Sequence, residues 1–110
     1  MVTDILPENI LFEVEDVFGK KVRTTKSYWQ KIKTDKHREL KFEFQDVIRT
    51  LQNPDEVNLS VRDKYIRLFF KNFERETLIV LVKYLNDHGF VVTVYQTTKA
   101  KRKGEKLWPK

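Results

Sequence analysis

Apolar residues follow two rhythms along this chain, and the rhythm changes at Pro54. Before it, Tyr28, Trp29 and Ile32 recur at helical spacing. So do Phe44, Val47, Ile48 and Leu51, which predicts helices over Ser27–Thr34 and about Lys41–Gln52, the second stopped by Asn53-Pro54. Ile10–Val17 reads as a first strand, and Phe18-Gly19-Lys20 turns the chain into a second strand near Lys21–Thr24. After Pro54 the period is two. Val57–Val61, Tyr65–Lys71, Leu78–Tyr84 and Phe90–Thr97 read as strands separated by Arg62-Asp63-Lys64, Asn72–Glu76 and Asn86-Asp87-His88-Gly89. Links this short make antiparallel neighbours. The expected fold is α+β: an N-terminal β-hairpin and two helices packed on a four-stranded antiparallel β-meander, in one domain spanning residues 1–110.

Alternation assigns faces to these strands. Ile66, Leu68 and Phe70 share one face of their strand and Tyr65, Arg67 and Phe69 the other; Lys83 alternates with Val82 and Tyr84. If the apolar faces join under the helices, Asn58, Ser60, Arg67, Lys83, Thr93, Tyr95 and Thr97 line the opposite, open face. Cations, hydroxyls and aromatics interleaved on an open sheet suit a phosphate backbone and splayed bases. The same pattern also arises simply because antiparallel sheets commonly have one wet face.

Charge sharpens that choice. The chain carries 22 Lys and Arg against 16 Asp and Glu, a net +6. Residues 99–110 hold Lys99, Lys101, Arg102, Lys103, Lys106 and Lys110 against one acid, Glu105. Such a block marks a polyanion-binding surface or a solubilising tail, and the expected partner is RNA. Without cysteine, disulfides, thiolate catalysis and Cys-based zinc sites are excluded. The hydrophobic runs are too short for a membrane span. Residues 1–16 carry five acids and no Lys or Arg, unlike a signal or transit peptide, so the expected location is cytoplasmic.

No phosphate-loop, dinucleotide, zincin or EF-hand fingerprint is present, and no cofactor or metal is expected. The two histidines are His37, in Lys36-His37-Arg38-Glu39, and His88, in a polar turn. RNA cleavage asks little of a protein, because the nucleophile is the substrate's own 2′-hydroxyl. A base, an acid and cations for the charge on phosphorus suffice. His37 as general acid or base, Arg67 and Lys83 as stabilisers, and Thr93 and Tyr95 as positioning groups make a chemically adequate set. Asn58, Ser60, Lys99, Lys101, Arg102 and Lys103 would then hold the flanking RNA.

Several stretches carry a family resemblance: Gly19-Lys20-Lys21-Val22, Trp29-Gln30-Lys31-Ile32, His37-Arg38-Glu39-Leu40, Leu51–Val57, Tyr65–Phe70, Gly89–Tyr95 and Lys101-Arg102-Lys103-Gly104 before Trp108. In this order they resemble small phage- and bacteria-associated members of the barnase–EndoU–colicin–RelE-like nuclease superfamily. The resemblance implies N-terminal helices followed by a four-strand antiparallel sheet, metal-independent endoribonuclease activity of toxin type, and a cognate antitoxin or immunity protein as a further partner. The family-like His-x-Glu falls on His37 and Glu39, with Arg38 where many relatives have Pro, and Val94 stands where a smaller residue is commoner. The alternative expectation is a non-catalytic RNA-binding or partner-binding module on the same fold.

Overall fold

Residues 7–34 and 40–109 are described in the computed structural model, and they form two helices and a seven-stranded sheet. A 3-10 turn at Pro7–Asn9 leads into the hairpin of β1 (Ile10–Glu15) and β2 (Lys21–Thr25). Helices α1 (Lys26–Lys33) and α2 (Phe44–Gln52) follow. Then come β3 (Glu56–Leu59), β4 (Ile66–Phe73), β5 (Glu76–Leu85), β6 (His88–Thr97) and β7 (Lys106–Trp108). The helices start where side chains satisfy first-turn amides. Thr25 Oγ1 accepts from the Tyr28 amide at 3.1 Å, and Asp46 Oδ2 accepts from the Glu43 amide at 3.0 Å.

β3 to β6 pair antiparallel in chain order, yet they are the centre of a larger sheet rather than a sheet of their own. The full order is β1-β2-β6-β5-β4-β3-β7. β2 adds to β6 in parallel, with Val22 opposite Gly89, and β7 adds to the far side of β3. The sheet is therefore mixed. Its central turns are also tighter than the polar clusters suggest. Glu74 (φ 48°) and Asn86 (φ 60°) adopt positive φ, so each turn closes over two residues and the strands continue into the flanking polar positions. His88 thereby opens β6, opposite Leu85, instead of occupying a turn.

Both helices lie on one face of the sheet. Trp29 and Ile32 of α1 and Val47 and Leu51 of α2 are buried against Val22, Val57, Phe69, Val80, Val82 and Val94. The hairpin turn curls over this side too, where the Phe18 ring meets Phe69 and Trp108 edge-on at 6.2 and 6.3 Å. Rings from the hairpin at one edge of the sheet and from β7 at the other thus close the end of the core.

The registers correct the expected face of β4. Arg67 stands opposite Val82 and Phe69 opposite Val80, so both point to the helix side. Leu68 and Phe70 stand opposite Leu81 and Ile79 and point to the other side. Ile79 is 1% exposed and Phe70 not exposed at all, so the face without helices is also covered at its centre. Alternation alone could not choose, because β4 and β5 are apolar on both faces. No helix among the described residues is long and apolar enough to cross a membrane.

Candidate nucleic-acid interface

The cover on the second face is the chain itself. Residues 98–105 leave β6, cross the open face over β5, β4 and β3, and enter β7 at the far edge. Arg102 pins this strap at its middle. Its guanidinium lies 5.3 Å from the centroid of the Phe70 ring, donates to Glu56 Oε1 at 3.2 Å and to Asn72 Oδ1 at 3.0 Å. The Asn58 amide donates to the Lys103 carbonyl at 3.3 Å, and the Leu59 amide to the Glu105 carbonyl at 2.8 Å. Between those two anchors sits Gly104 at φ 95°, where a Cβ would come within 2.0 Å of the Leu59 carbonyl oxygen. Only glycine fits there.

With Arg102 directed at the sheet, its neighbours in an extended chain point away from it. Lys99, Lys101 and Lys103 are exposed, and none is paired with a carboxylate among the described residues. The basic segment is thus a fixed bar that offers ammonium groups outward while its one guanidinium is spent inward.

The expected site residues sort into several places. Lys83, Thr93, Tyr95 and Thr97 lie on the face without helices, as their registers with Ile66, Leu81, Ile79 and Thr77 require. Lys83 Nζ pairs with Asp63 Oδ2 at 3.3 Å. The Tyr65 amide holds the Asp63 carboxyl below its usual range, and Lys83 acts in the same direction. Asn58 belongs to this face but is 1% exposed beneath the strap, which removes it from the surface. Ser60 leaves the strand, and its Oγ accepts from the Arg62 and Asp63 amides at 3.2 and 3.3 Å, which makes it a turn residue. His37 lies outside the described residues.

Arg67 is the principal correction. On the helix side its guanidinium sits 4.7 Å from the Phe18 ring centroid and 4.7 Å from that of Tyr84. The Tyr84 hydroxyl donates to Asp16 Oδ2 at 2.5 Å, while Asp16 Oδ1 accepts from the Phe18 and Lys20 amides at 2.8 and 2.9 Å. Burial, reinforced by the Asp16 carboxylate, pushes the Tyr84 hydroxyl far above its ordinary range. This cluster shapes the hairpin turn and holds it on the core. The sheet itself separates Arg67 from Lys83, Thr93 and Tyr95, so the four do not converge on one phosphate.

A cleft opens where β2 and β6 part after Arg23 and Phe90, the last pair of their parallel register. Its volume is about 730 Å³, and it is lined by the start of α1, the end of β5 and residues 90–92. The Tyr28 hydroxyl bridges it at one side, donating to the Val92 carbonyl at 2.7 Å. Sequence reasoning missed it, because a gap between two strands more than sixty residues apart leaves no local signal. The one hint is the bulge that breaks the β5–β6 register between Leu81 and Val82, and it becomes visible only once the strands are paired.

Among the described residues no group of histidines and acids is arranged to hold a metal ion. Comparison with protein-family models, with curated proteins and with solved structures finds no match to this chain.

Proposed function

We propose that this protein binds single-stranded RNA along the strap and the adjoining part of β6, without cleaving it. The observation that carries the reading is the pinned strap: Arg102 is committed to Glu56, Asn72 and Phe70, while Lys99, Lys101 and Lys103 face solvent on a backbone anchored to the sheet. Cations held on a fixed backbone lose little freedom when a phosphate chain arrives. Thr97, Tyr95 and Thr93 continue the track along β6, offering hydroxyls and one ring to a strand lying across the face. The endoribonuclease reading is the weaker one, because its expected cation Arg67 stacks between rings on the opposite side of the sheet from Lys83, Thr93 and Tyr95.

Fluorescence anisotropy with a labelled single-stranded oligoribonucleotide over a series of salt concentrations tests the proposal. The Lys101→Ser, Lys103→Ser double variant should bind more weakly to every sequence and flatten the slope of log K against log salt by about 1.4, two contacts at roughly 0.7 each. An unchanged slope would move the interface off the strap. The same RNA incubated with protein in EDTA should stay intact, and fragments ending in 2′,3′-cyclic phosphate would restore the nuclease reading with a different set of catalytic residues.

A further inference from the structure

We infer that the cleft between β2 and β6 receives a nucleoside 5′-phosphate, the terminal nucleotide of the RNA whose strand lies on the strap. The inference rests on the RNA-binding reading and adds to it a specificity for the strand's end.

The cleft's lining is basic. Lys26 and Lys83 line it, the Lys83 ammonium shared with the Asp63 carboxylate at 3.3 Å, and no lining residue among those described is acidic. It also contains the start of α1, where backbone amides have no intrahelical partner and the helix end carries partial positive charge. Thr25 caps the Tyr28 amide, and the amides of Lys26 and Ser27 belong to the same first turn. A phosphate dianion matches this arrangement better than a singly charged internal phosphate.

The rest of the lining is apolar, which an inorganic anion would not use. Phe90 supplies a ring, with the Arg23 guanidinium 5.1 Å from its centroid. A flat base can extend that stack. The volume, about 730 Å³, falls within the range of ordinary small-ligand sites.

An independent observation points to a missing partner at this place. Among the described residues, three buried side-chain polar atoms lack a hydrogen-bond partner: Thr24 Oγ1, Arg23 Nε and Asn58 Oδ1. Two of the three flank this fork, and Thr24, 2% exposed, lines the cleft itself. Buried polar atoms are nearly always paired, so the orphaned hydroxyl of a lining residue, Thr24, marks a place where a polar ligand completes the set. β6 joins the two sites. The cleft sits at its Phe90–Val92 end and the strap leaves from Thr97, with Thr93 and Tyr95 on the face between.

Two oligoribonucleotides of one sequence, with a 5′-phosphate and with a 5′-hydroxyl, separate this inference from the reading it rests on. The phosphorylated strand should bind about tenfold tighter. Lys26→Ser, at an exposed position, should erase that preference while leaving the salt slope of the 5′-hydroxyl strand intact. Adenosine 5′-monophosphate alone should shift the amide resonances of Ser27, Tyr28 and Phe90, and adenosine or inorganic phosphate at the same concentration should shift them less. Equal affinity of the two strands with a normal salt slope overturns the terminal-nucleotide site and leaves the strap. Absence of strand binding altogether overturns the strap, and the mononucleotide shifts then decide the cleft alone: present they support it, absent they overturn it. Equal shifts with inorganic phosphate would also overturn the nucleoside assignment.

Discussion

The two faces of the sheet are closed by different means, one by helices and one by a strap of cations. On the helix side, Val22, Val47, Leu51, Val57, Phe69, Val80 and Val82 are fully buried in one apolar cluster. On the strap side a single chain crosses the sheet, and beneath it lie Phe70 and the polar Asn58. Helices bury an apolar stripe of their own and add it to the core. A strap of lysines adds almost nothing apolar, so it must be fixed by hydrogen bonds, an ion pair and a guanidinium stacked on a ring. The first face is therefore a source of stability, and the second trades stability for a charged surface held in place.

The paired rings Phe69 and Phe70 are adjacent in sequence and equally buried, which makes them the sharpest comparison. Phe69→Ala should cost about 3–5 kcal/mol, the usual cost of an aromatic cavity in a packed core. Phe70→Ala should cost less, because a strap held at a few points can settle into the space while a helix-packed core cannot. Urea denaturation of both variants gives the ratio. Equal losses would mean that the strap is packed as tightly as the helices.

Each face is also held by polar contacts, and these differ in burial. On the helix side the Tyr84 hydroxyl donates to Asp16, and both residues are buried. Tyr84→Phe removes a donor from a buried carboxylate and should cost about 1–3 kcal/mol. The hydroxyl also carries a pH signature. Its folded pKa is raised, so the stability it contributes is fully present below the unfolded value of about 10 and is lost as pH climbs above it, where only the unfolded chain releases the proton. Thermal melts should show the wild type losing stability faster than Tyr84→Phe above pH 10, and parallel curves would mean that the hydroxyl is solvated.

Much of this architecture was legible in the pattern of residues. Trp29 and Ile32 at helical spacing do form the buried side of α1, and Asn53-Pro54 does end α2. The four strands after it pair in the expected order. What failed was the choice of face. The rule that one side of an antiparallel sheet is wet placed Arg67 outside. Phe69-Phe70 and the unbroken apolar run Leu78–Val82 are instead the mark of strands buried on both faces. That signal was present and was outweighed by the expectation of a two-layer fold. The parallel joining of β2 to β6 and the extra strand β7 had no comparable signal, since each depends on residues brought together across the whole chain. Arg102 illustrates the limit well. Composition groups it with Lys101 and Lys103, and only the position of Phe70 beneath it separates an anchor from two exposed lysines.

That separation gives the smallest expected effect and the most discriminating one. Arg102 and Glu56 are partly exposed, with side-chain exposures of 29% and 18%, so their ion pair is screened and contributes modestly. Arg102→Ser also loses the stacked contact with Phe70, and a total of about 1 kcal/mol is expected. The Lys101 and Lys103 side chains have no comparable ion pair or ring contact among the described residues, so Lys101→Ser and Lys103→Ser should leave stability within about 0.5 kcal/mol of the parent. RNA binding should invert the ranking at a single site: each lysine variant loses a phosphate contact outright, whereas Arg102→Ser weakens binding only through a looser strap. Hydrogen exchange tells these routes apart. The Leu59 amide, bonded to the Glu105 carbonyl, should exchange faster in Arg102→Ser and at the parental rate in both lysine variants. If Lys101→Ser loosens that amide as much as Arg102→Ser does, the strap has no anchor of its own, and its charges act together as an ordinary mobile tail.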